Sequence, residues 1–319
     1  MFLFEKYYTI VNCQAVDCSS FMLNQPTGNL SQYLLKDVEI IQDQTGILSC
    51  KIQNPTPAIQ ANSYYFGHSK WAKNYFEACH RDEKFIDLWQ AVIGSWCDKI
   101  VVDIGCGPGN LYASLRENCG EPRLLLGVDV SYGALQMAEK LGYMPILADA
   151  QNLPFVCEFA DMVMLNACLH HCDDMAKVLR EAGRLVRPGG LLITDHDPQR
   201  SAYNFRGLGF LLWQIRLPFY RLLKRGGHST PEEQFWSITT EVHHQPGDGV
   251  TPELYYEILK PLGFQVELYP HNHTVGVEVL RGNYGKSSWK CRVAQRLSGI
   301  NPNTPEAALS LMCVARREI

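Results

Sequence analysis

The segment VVDIGCGPGN (101–110) constrains this chain more than any other. The apolar run KIVVDIG (99–105) reads as a buried strand, and glycines follow at 105, 107 and 109. A strand that turns sharply into a helix needs glycine for unusual backbone angles and for close approach of a ligand. Each glycine also costs conformational entropy, so three in five residues imply a use. The helix that follows starts with free N–H groups aimed at the turn. The spacing is GxGxG; it is neither the GxGxxG of a dinucleotide loop nor the GxxxxGK[ST] of a P-loop. Asp103 stands two residues before the first glycine. A carboxylate there repels pyrophosphate and suits a cationic amino group.

The texture around the loop alternates. Strands are expected at 99–105, 123–130, 144–150, 160–167 and 191–197, with helices at about 109–118, 131–141 and 173–186 between them. That rhythm predicts a mostly parallel sheet with helices on both faces and a ligand beyond the carboxyl ends of the strands. Asp129 ends the second strand, where ribose hydroxyls would lie, and Asp149 ends the third, where a carboxylate can accept from an adenine amino group. A helix over 251–264, with Thr251 as N-cap and Pro252 at its first position, precedes strands at 264–269 and 308–317. These complete a seven-stranded sheet. Ahead of it, 36–52 reads as a hairpin within an extension over 1–60, and 61–97 as an aromatic helical segment (Tyr64, Tyr65, Phe66, Trp71, Tyr75, Phe76, Phe85, Leu88, Trp89). Residues 199–250 interrupt the alternation.

With these residues in view, 99–198 resembles a class I S-adenosylmethionine (SAM)-dependent methyltransferase of the small-molecule type. VVDIGCGPG resembles the family's glycine motif, GVDVS (127–131) its ribose segment and ADAQNLPF (148–155) its adenine segment. LNACLHHCDD (165–174) and RLVRPGGLLITD (184–195) resemble its fourth-strand motif and the turn into its fifth strand. The resemblance implies an α/β, Rossmann-like domain over 98–319 with SAM as cofactor. It implies that Gly105, Gly107 and Gly109 hold the methionine part and that Asp103 helps place its ammonium. Asp129 and Val130 would serve the ribose, Asp149 and Ala150 the adenine, and Asn166 the methyl-donor end.

The sulfonium methyl is already activated, so the protein's task is to position an acceptor. A general base helps where the acceptor is a hydroxyl or an acidic carbon. Candidates near the strand ends are His170, His171, Asp195, His196, His243 and His244; His170 and His196 are the first choices as catalytic residues. The helical lid (61–97) and the insertion (199–250) are expected to cover an apolar or aromatic acceptor methylated on oxygen or carbon, with Phe205, Phe210, Trp213, Phe219, Tyr220, Phe235 and Trp236 as lining and Gly207, Gly209, Gly226 and Gly227 as hinges. The stretch LGFLLWQIRLPFYRLLKR (208–225), broken or kinked at Pro218, reads as a lid helix or as a peripheral membrane contact. The net charge of −4 carries no basic footprint, so no nucleic-acid partner is expected. The start MFLFEKYYTIV has charges where a signal core would be apolar, and the 12 cysteines read as reduced thiols of a cytoplasmic protein. Cys13, Cys18 and Cys50 lack paired CxxC knuckles and a fourth ligand, so no metal is expected. Two rival functions remain: a noncatalytic protein of the same fold, and a nicotinamide oxidoreductase, which the GxGxG spacing disfavours.

Overall fold

A computed structural model of the chain describes residues 30–71, 73, 80–223 and 230–319. Residues 33–319 form one unit and residues 1–32 a separate one. Cys13, Cys18, Tyr75, Phe76, Lys224, Arg225, Gly226 and Gly227 lie outside the described residues.

The strands are β1 (Ile40–Gln42), β2 (Leu48–Cys50), β3 (Ile100–Ile104), β4 (Leu124–Asp129), β5 (Met144–Leu147), β6 (Ala160–Asn166), β7 (Val186–Asp195), β8 (Phe264–His271) and β9 (Ser310–Arg317). They join in the order β1-β2-β5-β4-β3-β6-β7-β9-β8. β5, β4, β3, β6 and β7 are parallel, and β9 runs antiparallel between β7 and β8. Every residue of β3 is buried, as its unbroken IVVDI run requires of a central parallel strand. The strand order reverses at β3, so the crevice beyond its carboxyl end is the place for a ligand.

The seven strands expected from sequence are β3 to β9. The hairpin adds two more, because β2 pairs in parallel with β5 through Leu48↔Ile146 and Ser49↔Leu147. This covers the outer edge of β5, and Ile47 is wholly buried there. Asp43 closes the hairpin turn by accepting from the backbone N–H groups of Thr45 and Ile47 and from the Tyr132 hydroxyl.

The helices are α1 (Pro57–Gly67), α2 (Glu83–Ile93), α3 (Asn110–Cys119), α4 (Tyr132–Glu139), α5 (Met175–Leu185), α6 (Gly207–Leu222), α7 (Pro231–Thr240), α8 (Pro252–Leu259) and α9 (Trp289–Leu297). Thr251 caps α8 by accepting from the N–H of Leu254. α2 buries Phe85, Leu88, Trp89, Val92 and Ile93 in the core, and the Trp89 indole donates to Asp195 at 3.1 Å. α9 lies outside the elements expected from sequence; it buries only Ala294 and Gln295, while Trp289, Val293 and Leu297, spaced four apart along one side, are exposed.

The insertion differs from expectation in two respects. α6 continues past Pro218, so of the expected break or kink the break does not occur. Gly209 is a packing point rather than a hinge, since a Cβ there would collide with the Ser298 hydroxyl and the Ala294 carbonyl of α9. No helix among the described residues is long and apolar enough to cross a membrane.

This packing reverses a familiar sign. Gly→Ala in a helix interior ordinarily stabilises by up to about 1 kcal/mol. Gly209→Ala should instead destabilise by about 1–3 kcal/mol through overpacking against a backbone carbonyl, read as a lower Tm in thermal unfolding.

Candidate cofactor cleft

The cleft opens beyond the carboxyl ends of β3, β4, β5 and β6. The three loop glycines are all in the left-handed region, with φ of 69°, 52° and 87° at Gly105, Gly107 and Gly109, and they serve different ends. A Cβ on Gly105 would stand 2.5 Å from the Cys168 sulfur, whereas one on Gly107 would meet nothing within 4 Å. Gly107 therefore presents bare backbone to open cleft. A Cβ on Gly109 would press on Leu141 and Tyr143 at 2.8 and 2.9 Å. Gly109 is the N-cap of α3 and packs on Tyr143; it is not among the residues that line the cleft.

The other expected cofactor residues, Asp103, Gly105, Gly107, Asp129, Val130, Asp149, Ala150 and Asn166, all line it. Asp129 accepts the Gly107 N–H on Oδ2 and the Ser131 N–H on Oδ1, each at 2.8 Å. A carboxylate has about four lone-pair directions, so Asp129 keeps capacity to accept from a ligand. Asp149 accepts the Gln151 N–H at 2.9 Å and keeps the Gln151 amide against both its oxygens. Asp103 is buried and accepts the Tyr143 hydroxyl at 2.6 Å. Burial pushes its pKa up to about 7; the Tyr143 hydrogen bond opposes the rise and the charge of Asp129 adds to it. Burial also raises Asp129, against the pull of its backbone hydrogen bonds. Asn166 pairs through Nδ2 with His80 Nε2 at 2.9 Å. Its Oδ1 is buried with no partner among the described residues.

Helix α1 supplies the facing wall through Ile59, Asn62 and Phe66. Asn62 anchors it by donating to the His171 carbonyl at 3.2 Å. Packed on α1 from outside is α7: Tyr64 and Trp236 have ring centroids 4.7 Å apart, and the Tyr64 hydroxyl donates to Glu232 at 2.9 Å.

The first-choice histidines are elsewhere. His170 is buried against Asp197, with Nδ1 2.8 Å from Oδ1. His196 stacks on His273 and meets Phe85 edge-on. Neither lines the cleft; His80 and His171 do. His171 Nδ1 lies 2.7 Å from the Thr240 carbonyl, and burial lowers its pKa to about 4, which leaves it neutral at pH 7. Burial likewise lowers His80 to about 3. Asp195 anchors the core, accepting from His271 at 2.7 Å and from Trp89. His243 and His244 pair with Asp248 and Glu241. Among the described residues, the insertion contributes none to the cleft wall. Sequence reasoning missed His80, Asn62 and Tyr143, which carry no motif; only the aromatic helical texture of 61–97 pointed toward the first two.

Residues 102–194 match the family model described as a methyltransferase domain. Over those residues the chain is similar to a methyltransferase domain. The chain is 30% identical over 126 residues to a demethylmenaquinone methyltransferase of Bacillus velezensis, covering 37% of this chain and 54% of that protein. It is 26% identical over 194 residues to the enzyme of the same name from Geobacillus kaustophilus, covering 58% and 79%. The chain thus spans about half the length of the first relative. A SAM-dependent methyltransferase structure from Thermotoga maritima aligns at 18% identity with a TM-score of 0.46, covering 81% of this chain and all of that one.

Two outcomes follow for this cleft. Gly107→Val should abolish binding of S-adenosylhomocysteine (SAH) in calorimetry while lowering apo stability by only about 1–2 kcal/mol, the cost of a left-handed side chain. Gly109→Ala should do the reverse, because its side chain meets Tyr143 rather than a ligand.

The raised pKa of Asp103 gives a pH dependence. A ligand ammonium prefers ionised Asp103, which is depleted as pH falls through about 7. Affinity for SAM should be flat above that pH and fall below it by up to about tenfold per pH unit. Calorimetry from pH 5.5 to 8.5 (about one unit and a half on either side) should show the slope in the wild type and lose it in Asp103→Asn.

Proposed function

We propose that this chain binds SAM in the cleft and transfers its methyl group to a small, apolar or aromatic acceptor through oxygen or carbon. The observation that carries the reading is the convergence of Asp103, Asp129, Asp149 and Asn166 on one cleft around the bare backbone of Gly107. The residues fit the cofactor. Asp129 keeps lone pairs for ribose hydroxyls, Asp149 and the Ala150 N–H suit an adenine edge, and the unpartnered Asn166 Oδ1 suits the methionine end. Asp103, shielded by Tyr143, acts on the ammonium at longer range.

The cofactor supplies an activated methyl group. The chain's own part is to orient the acceptor and exclude water. Ile59 and Phe66 offer it an apolar wall. On this reading residues 61–97, with α1 starting a little earlier at Pro57, are the lid, and residues 199–250 brace it through Tyr64 and Trp236. Residues 98–319 are the catalytic domain and 1–60 an extension whose hairpin lengthens the sheet. The demethylmenaquinone methyltransferases are named for a quinone acceptor, which supports an apolar acceptor here.

A specific observation favours a membrane as the source of that acceptor. Leu208, Leu211, Phe219, Leu222 and Leu223 on and after α6 are each more than half exposed, from 54% to 77%. They form an apolar face that would rest in a lipid interface.

SAH should bind the wild-type chain, and SAM should be converted to SAH in the presence of demethylated quinones or phenols. Trp236→Ala should leave SAH affinity within about threefold while turnover falls about tenfold or more, because only acceptor orientation is lost. Absence of SAM and SAH binding would overturn the reading. Binding without transfer to any acceptor would favour the noncatalytic rival.

A further inference from the structure

The turn after β6 and the end of α7 bring together groups that methyl transfer does not use. His170 and His171 sit in a short 3-10 turn (Leu169–His171), and Glu241 caps the carboxyl end of α7. One ring nitrogen of each histidine and one Glu241 carboxylate oxygen all lie within 4.8 Å of one another.

The hydrogen bonds around them orient lone pairs rather than protons toward that space. The Thr240 carbonyl can only accept, so His171 Nδ1 carries the proton and Nε2 the lone pair. Asp197 Oδ1 accepts the His170 backbone N–H as well as facing His170 Nδ1, so it acts on both as an acceptor. That leaves the lone pair of His170 on Nε2, which faces Glu241 Oε2 at 3.6 Å. The separation is too long for a hydrogen bond. It is close to the roughly 3.3 Å edge of a tetrahedron of nitrogen and oxygen ligands about 2.0–2.1 Å from a shared ion. Glu241 is itself fixed by the His244 Nδ1–H at 2.7 Å. His244 Nε2 is buried and has no partner among the described residues. An imidazole whose far nitrogen is held by a carboxylate or carbonyl is the arrangement that orients a metal-binding histidine.

We propose that His170, His171 and Glu241 bind one divalent transition-metal ion, which pins the inserted region to the core beside the cofactor cleft. Two imidazoles and a carboxylate suit zinc, with water in the fourth position, and also ferrous iron; magnesium and calcium call for oxygen ligands. His170 and His171 belong to the core and Glu241 to the insertion, so the ion would bridge the two. His171 also lines the cleft, which places the ion next to the acceptor side. The site stands on its own geometry and does not depend on the methyl-transfer reading.

The test uses the full chain, stripped with a chelator and titrated separately with Zn2+, anaerobic Fe2+ and Mg2+ against a chromophoric competitor. One equivalent of Zn2+ should bind, Fe2+ should bind the same site more weakly, and Mg2+ should not compete. Glu241→Gln, checked for folding by circular dichroism, should weaken that site by about a hundredfold or more. The ion should raise the Tm of the wild type and leave that of the variant unmoved. Cobalt substitution of the wild type decides without any variant: the expected spectrum has tetrahedral d–d bands and no thiolate charge-transfer band. Equal affinity in wild type and Glu241→Gln, or a thiolate band that places the ion on cysteine, would overturn the proposal.

Discussion

The carboxylate of Asp129 ties together the three elements on which the cleft depends. It ends β4, holds the N–H of Gly107 in the loop from β3, and holds the N–H of Ser131 at the start of α4. Charge-assisted bonds of this kind are about twice as strong as neutral ones, and here they fix a loop whose glycines sit in left-handed backbone that few residues adopt. The cost is a second, partly buried negative charge near Asp103. The charge of Asp129 adds to the rise that burial gives Asp103, so a cation entering the cleft relieves it.

Much of this was legible in sequence because it rests on short-range rules. An apolar run ending in alternate glycines can do little other than leave a buried strand through a sharp turn. Acids at successive strand ends keep their meaning because parallel strands put all those ends on one side. What sequence did not give was direction within a turn. His170 and His171 are adjacent, yet one faces Asp197 in the core and the other the cleft. Gly109 shares the motif with Gly107 but answers to Tyr143, a residue more than thirty positions away. His80 reaches Asn166 from a segment with no motif at all. In each case the deciding contact is tertiary, and no local pattern encodes it.

The inserted region was read from its aromatics as a pocket lining, and its composition served other contacts. Trp213 packs among Tyr203, Phe205 and His244, with the Arg216 guanidinium over its face at 3.2 Å. Phe210, Phe219 and Phe235 are exposed. Trp236 braces α1 from behind. An aromatic count registers available apolar area, but which surface spends it depends on helix orientation, and that is set here by the close approach of α6 to α9 at Gly209.

The hairpin at the edge of the sheet bears on the freedom of the cleft's wall. β2 is locked in register beside β5, and α1 begins at Pro57 after a stretch of six residues, 51–56. Thr56 closes that stretch at both levels: its hydroxyl caps α1 by accepting from Ile59 and donates to Asp173 at 2.7 Å. Six residues fully drawn out reach roughly 20 Å, and any bend shortens them. Helix α1 is therefore on a leash anchored in the sheet, so any swing of that wall is confined to an arc about the anchor.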